Sequence, residues 1–373
     1  MTKGTAAKGF LINAAVLIGS LFVSLALLEL ALRIYYFGSL SYLGKSVEDK
    51  FWRYDAELGW APSENSEGYF SNPLAEFNGR VTFDDKGLRN TGNNYGQQDR
   101  SILVVGDSTT AGLEVDNNKT YAAVLEKLLY ESGCKYTVYN AGVRGYGTDQ
   151  AYWRTMALKE LQPDLVIYMF TGNDLENNRT IKLGGRTYGK PAYTISQQGL
   201  SIVNLPSQKF EKSYYSHIIY GENDFRVIEG HIQRFGNARL EIIKSFIKNN
   251  LAMYYPMLNL YNQWVKGGAD DTESSDPKSD PKSDFQLLGK ILQKMKEGTE
   301  KFMFTSFTNG KKGYTDHLLK LSNNLEIPYI DILDYFDSNS EIYNWKTDGH
   351  WNEVGHANAG LALYEQIKSS LCH

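Results

Sequence analysis

Ser101-Ile102-Leu103-Val104-Val105-Gly106-Asp107-Ser108-Thr109 is the stretch that decides the fold. The run Ile102–Val105 is short, apolar and partly β-branched, and a turn of small and polar residues follows it at once. Such a run reads as a strand covered on both faces, as in a parallel sheet flanked by helices. A buried strand that stops at this turn leaves the Ser108 hydroxyl at its carboxyl end, where open α/β sheets place their chemistry. Far downstream, Asp348-Gly349-His350-Trp351-Asn352 precedes the last helical stretch. A serine hydroxyl is a poor nucleophile until a base takes its proton. An Asp–His pair supplies that base from anywhere in the chain, because triads are set by geometry.

Outward from this strand, the pattern alternates. The spacing of Val124, Leu125, Leu128 and Leu129 predicts a helix over Tyr121–Tyr130. Tyr136–Tyr139 reads as a short strand ending in Asn140-Ala141-Gly142, and Gln150–Leu161 as a helix that stops before Pro163. Asp164–Phe170 is a nearly continuous apolar strand. Phe302–Phe307 and Ile327–Ile332 read as two more strands, and Glu353–Leu371 as a closing helix. Strands alternating with helices predict an α/β fold, three layers around a mostly parallel five-stranded sheet.

The chain has 373 residues, 42% of them hydrophobic, which is enough for a sizeable core. A formal charge of −4 leaves no basic footprint, so nucleic acid is not an expected partner. Cys134 and Cys372 are the only cysteines. No metal-ligand spacing exists, and neither a metal nor a cofactor is expected. The two thiols can pair if the domain lies outside the cytoplasm, or both stay free.

Gly9 to Leu28 carries no charge over 20 residues, which at ~1.5 Å each cross the ~30 Å hydrocarbon core of a bilayer. Lys3 and Lys8 precede it, which puts the N-terminus in the cytoplasm and the rest outside. Glu29 and Arg33 are spaced to pair on one helix face, and Tyr35, Tyr36 and Phe37 read as an interfacial belt. Residues 1–37 are therefore read as an anchor, meeting lipid through residues 9–36. A cleaved signal peptide is the rival, but it has a shorter apolar core and small residues at its cut site. Residues 38–100 read as a connector packed on the domain, and 101–373 as the domain itself. An insertion occupies about 177–297, with a possible hairpin in Ile181–Pro206 and helical spacing in Phe225–Trp264. Its polar stretch 267–284, where Asp-Pro-Lys-Ser occurs twice, is expected to be mobile.

Four segments, in order, resemble the blocks of the SGNH or GDSL-type hydrolases, and more narrowly their membrane-anchored bacterial branch. Gly106-Asp107-Ser108 matches the first block. Asn140-Ala141-Gly142-Val143-Arg144-Gly145 matches the second, Thr171-Gly172-Asn173-Asp174 the third and Asp348-Gly349-His350 the last. The resemblance implies a flavodoxin-like SGNH fold with Ser108 as nucleophile, His350 as base and Asp348 as its orienting partner. It further implies an oxyanion hole from the N–H groups of Ser108 and Gly145 and the Asn173 side chain. Gly142 and Gly147 compete with Gly145, Asp334 with Asp348, and His356 with His350. Two departures stand out: Thr171 occupies a position where the family commonly has Gly, and one residue rather than two separates Asp348 from His350. The shorter spacing resembles the branch acting on exported polysaccharides. Arg144 either holds an anionic group of the substrate or sits on the surface.

The resemblance implies a serine esterase or deacetylase if water resolves the acyl-enzyme, and an O-acyltransferase if a sugar hydroxyl does. Location on a bacterial inner membrane, facing the periplasm or exterior, makes acylated cell-envelope glycans the expected substrate. A membrane protein partner is possible. The alternatives are a lipid-directed esterase or lysophospholipase and a non-catalytic envelope module that retains the fold.

Overall fold

In the computed structural model the described residues are 3–37, 51–71, 77–181, 189–197, 199–207, 253, 257, 260, 281–307, 312–336, 342–346 and 348–372. The chain divides into two compact units. One holds helix α1, Lys3–Phe37. Within it, Ile12–Ile34 covers 23 residues and is long and apolar enough to cross a membrane. Its large side chains, among them Phe10, Leu17, Leu21 and Leu27, are exposed. Arg33 Nε donates to Glu29 Oε1 at 2.8 Å, the expected one-turn pair. The other Glu29 oxygen accepts the backbone N–H of Met253 at 3.0 Å, so the buried carboxylate has partners on both oxygens.

The second unit is the α/β domain. Its elements in chain order begin with four short strands, β1 (Trp52–Asp55), β2 (Gly59–Pro62), β3 (Glu67–Ser71) and β4 (Asn78–Thr82). Next come β5 (Ser101–Gly106), α2 (Ser108–Ala111), α3 (Tyr121–Glu131), β6 (Thr137–Asn140), α4 (Thr148–Ala157), β7 (Leu165–Thr171) and α5 (Asp174–Asn177). The last are β8 (Ala192–Ser196), β9 (Gly199–Val203), α6 (Pro281–Gly298), β10 (Phe302–Phe307), α7 (Lys312–Leu325), β11 (Tyr329–Asp331) and α8 (Glu353–Leu371).

The five-stranded sheet has the order β11-β10-β7-β5-β6, with every pair parallel. Successive side chains of a strand point to opposite faces, and β5 and β7 obey this. Ile102, Val104, Ile167 and Met169 pack under α3 and α8 with Leu125, Leu129 and Leu363. Leu103, Val105, Val166 and Phe170 pack on the other face with Leu158, Leu288 and Leu292. That is why both strands read as unbroken apolar runs: the three layers leave neither face to water. The chain passes from β5 to β6 on one side and then to β7 on the other, so the switch point lies between the carboxyl ends of β5 and β7.

Several elements differ from the sequence expectation. Helix α4 starts two residues early, at Thr148, and its end tightens into a 3₁₀ turn, Lys159–Leu161. Residues 51–71 and 77–82, where the sequence reading placed no strand, carry regular structure. They form two antiparallel hairpins, β1–β2 and β3–β4. Phe51, Trp60, Val81 and Phe83 bury against Leu113, Val143 and Tyr146 of the domain. The hairpin within Ile181–Pro206 is β8–β9. In the stretch 267–284, residues 281–284 are the first turn of α6, and 267–280 lie outside the described residues. So does nearly all of Phe225–Trp264.

Cys134 and Cys372 form a disulfide with a Cα–Cα distance of 5.1 Å, within the span a bridge requires. Cys134 follows α3 and Cys372 ends α8, so the bond joins two helices that pack on one face of the sheet. It lies beyond the amino end of β6, at the edge opposite Ser108.

Candidate active site

The turn after β5 is held by its own residues. Asp107 caps α2 by accepting the Thr109 N–H at 2.9 Å. Its other carboxylate oxygen accepts from Thr171 Oγ1 at 2.8 Å and from Asn173 Nδ2 at 3.1 Å, with Ser108 Oγ at 3.4 Å. The turns after β5 and β7 are therefore tied through one carboxylate. The single Thr171 hydroxyl proton is shared with Asn173 Oδ1, also at 2.8 Å, which leaves the Asn173 amide nitrogen facing the serine turn. Thr171, where the family commonly has Gly, is thus a working part of the scaffold: its hydroxyl links both turns.

The last segment reaches the same point. His350 Nε2 lies 2.8 Å from Ser108 Oγ, and His350 Nδ1 lies 2.5 Å from Asp348 Oδ1. With the Nδ1 proton on the Asp348 side, Nε2 presents its lone pair to the serine hydroxyl. Gly349, at φ 82°, takes the left-handed turn that lets the carboxylate curl back onto the ring two residues on. Burial lowers the His350 pKa, but the Asp348 hydrogen bond and the Glu114 charge outweigh it, and the net shift is upward. Burial raises the Asp348 pKa, yet the hydrogen bond and charge of His350 bring it below the ordinary carboxylate value.

A crevice of about 270 Å³ opens here, lined by Ser108, Thr171, Asn173, Phe307, His350 and Trp351 among others. It holds a hydroxyl, an imidazole paired to a carboxylate, and an amide donor. That set can deprotonate the serine and receive negative charge on a bound carbonyl.

The rival residues separate on geometry. His356 is buried, accepts the Tyr121 N–H on Nδ1 at 3.3 Å, and stacks on the Tyr121 ring. Burial drives its pKa down to about 3, with the Arg89 and His350 charges adding, so it is a neutral packing residue. The Asp334 side chain lies outside the described residues. Gly142 is needed for close packing: a Cβ there would stand 2.3 Å from Ala111 N, inside the serine helix. Gly147 is the N-cap of α4. Gly145 takes a left-handed φ of 76°, and its N–H has no acceptor among the described residues. It is not among the residues lining the crevice.

Arg144 has a partner inside the protein. Its Nη1 donates to Glu114 Oε1 at 2.5 Å, and its guanidinium covers the Phe70 ring at 4.9 Å. Strand β2 holds this loop: Trp60 Nε1 donates to Arg144 O at 3.1 Å, and Tyr146 Oη to Trp60 O at 2.5 Å.

Two residues escaped the sequence reading. Arg89, fully buried, donates to the carbonyls of Ala111, Gly112 and Val115, and so satisfies the end of the serine helix. Burial lowers its pKa to about 9. Glu114, also buried, places Oε1 at 3.7 Å from His350 Nδ1. A Glu six residues after Ser108 was the one available signal, and burial is invisible before the fold is known. Donor atoms of Glu114, Asp348 and His350 lie within 4.8 Å of one another. They are engaged with each other and with Arg144, whose charge opposes a cation at that point.

Residues 104–215 match the model of the GDSL-like lipase/acylhydrolase family. The matched stretch carries Ser108, Gly145 and Asn173. His350 and Asp348 lie beyond the matched residues, and only the fold brings them in. Esterase TesA of Pseudomonas aeruginosa strain PAO1 is 38% identical over 76 residues, 20% of this chain. The chain spans 38% of that relative's length. Among solved structures, that of TesA has a TM-score of 0.38 at 15% identity, covering 72% of this chain and 99% of that one. The acetyl xylan esterase AlAXEase has a TM-score of 0.38 at 13% identity, with 72% and 99% covered. A putative lipolytic protein of the G-D-S-L family from Desulfitobacterium hafniense DCB-2 has 0.37 at 11% identity, again with 72% and 99% covered.

Proposed function

We propose that this protein is a membrane-anchored serine ester hydrolase or O-acyltransferase acting on acyl, chiefly acetyl, esters of cell-envelope glycans. The observation that carries the reading is the relay from Asp348 Oδ1 through His350 to Ser108 Oγ, with contacts of 2.5 and 2.8 Å. His350 Nε2 takes the Ser108 proton as Oγ attacks the ester carbonyl. The N–H groups of Ser108 and Gly145 and the Asn173 amide receive the charge on the carbonyl oxygen. Asp348 fixes the tautomer and stabilises the imidazolium. His350 then protonates the leaving alcohol, and an acyl-enzyme remains. Water or a sugar hydroxyl attacks it, with the same imidazole taking the second proton.

The apolar α1 and its exposed side chains support an anchor, since a contiguous apolar surface of this kind seeks a partner phase. Lys3 and Lys8 ahead of it support a cytoplasmic N-terminus and an outward-facing domain. The disulfide supports the same side. In this reading, residues 38–100 connect anchor to domain, and 177–297 are an insertion bordering the site.

The test uses the full chain in detergent. A fluorophosphonate probe should label it, and Ser108→Ala should abolish the labelling. Acetate release from an acetylated glycan, compared with acetyl transfer to an unmodified one, separates hydrolase from transferase. A folded protein that neither labels nor cleaves p-nitrophenyl acetate would refute the proposal and leave a binding module.

A further inference from the structure

Glu114 has surroundings that packing alone does not explain. Its side chain is 1% exposed, and Oε2 has no hydrogen-bond partner among the described residues. A buried carboxylate with a bare oxygen is costly unless charge nearby compensates. Arg144 supplies one positive charge at 2.5 Å. The buried Arg89 guanidinium adds a second positive charge, and the imidazolium of His350 comes to 3.7 Å at the nitrogen that Asp348 also contacts. The charged and titratable groups acting on His350 are Asp348 from its own loop, Glu114 from the loop after the serine helix, and Arg144 from the second block. His356 also faces it and is neutral.

We propose that Glu114 is a positioning residue for His350, forming with Asp348 a two-carboxylate clamp at Nδ1 that Arg144 holds in place. The role rests on the serine-esterase reading of Ser108 and His350 and adds a part to it. At rest, Glu114 and Arg144 neutralise each other. When His350 takes the serine proton, the new positive charge meets two carboxylates instead of one. Arg144 thereby acts on the base through Glu114, and an anionic substrate group is not needed to explain its place beside the second block.

The test is the pH profile of p-nitrophenyl acetate hydrolysis by the full chain and by Glu114→Gln. Removing the Glu114 charge leaves Arg144 to disfavour the imidazolium. The acid limb of kcat/KM should then move down by about one pH unit, the lower end of what a charge within 4–6 Å produces. The value of kcat at the plateau should fall by about tenfold, as expected for losing one charge-assisted stabilisation, with KM little changed. A merely structural role would lower the amount of folded protein without moving the limb. If Glu114→Gln does not fold, the double variant E114Q/R144Q, which removes both members of the ion pair, should still shift the limb downward, by less. An unmoved limb in a folded variant overturns the role of Glu114 while the esterase reading stands. A wild-type chain that fails to label with a fluorophosphonate overturns both.

Discussion

Breaking the disulfide should cost stability without touching catalysis, and the size of the loss follows from chain topology. Cys134 and Cys372 are 238 residues apart and join the ends of α3 and α8. The perturbation is the double replacement Cys134→Ala and Cys372→Ala, which adds no buried hydroxyl. Closing a loop of that length removes entropy from the unfolded chain worth about 5.5 kcal/mol by the loop-closure relation. Residual structure in the reduced unfolded chain trims this, so the expected loss is about 2–5 kcal/mol. At roughly 2–4 °C per kcal/mol for a domain of this size, the melting midpoint should fall by about 4–20 °C. The assay is thermal unfolding followed by tryptophan fluorescence, with and without reductant. The wild-type midpoint should drop on reduction to that of the variant, and the variant should ignore reductant. Esterase activity at 25 °C should be unchanged, because the bond sits at the sheet edge opposite Ser108. Coincident midpoints for oxidised wild type and variant would refute the reasoning.

Three further outcomes follow from the site. Asn173→Ala should lower kcat by about 10²–10³, the usual cost of one oxyanion donor, while probe labelling slows but persists; an unchanged kcat removes Asn173 from the oxyanion hole. The His350 pKa is raised and only its neutral form accepts the serine proton, so kcat/KM should climb with pH through a limb above 6.5. By the same sign, the stability His350 contributes is complete below its unfolded value and fades as pH rises through its folded one; a limb below 6.5 contradicts this assignment. Gly142→Ala should destabilise the domain by about 1–3 kcal/mol and depress activity, because its methyl would press on backbone at 2.3 Å beside the nucleophile; denaturant unfolding together with kcat reads both effects.

The parallel sheet was legible because β5 and β7 are covered on both faces and carry unbroken apolar runs. The site was legible wherever chemistry forces a residue type: a Ser after a buried strand, and an Asp and His close in sequence. The hairpins at 51–82 were not, since β1, β2, β3 and β4 are four or five residues long. Alternation that short does not stand out among aromatic and glycine residues. His350 was named over His356 by its place in the last block, and burial with the Tyr121 N–H on its ring explains physically why His356 stands apart. Glu114 and Arg144 are thirty residues apart in the chain, and nothing local links them. The same holds for the cysteine pair: their types allowed a bond, and the packing of α3 against α8 brings them to it.

The Asp107 carboxylate, which one oxygen links to Ser108, Thr171 and Asn173, has a consequence for how this centre can vary. The Ser108 hydroxyl and the Asn173 amide hang from a single hinge pin, so neither can be re-aimed alone. A substitution at 107 displaces both at once, and tuning for a new ester has to come from other walls of the crevice, such as those Phe307 and Asn344 form.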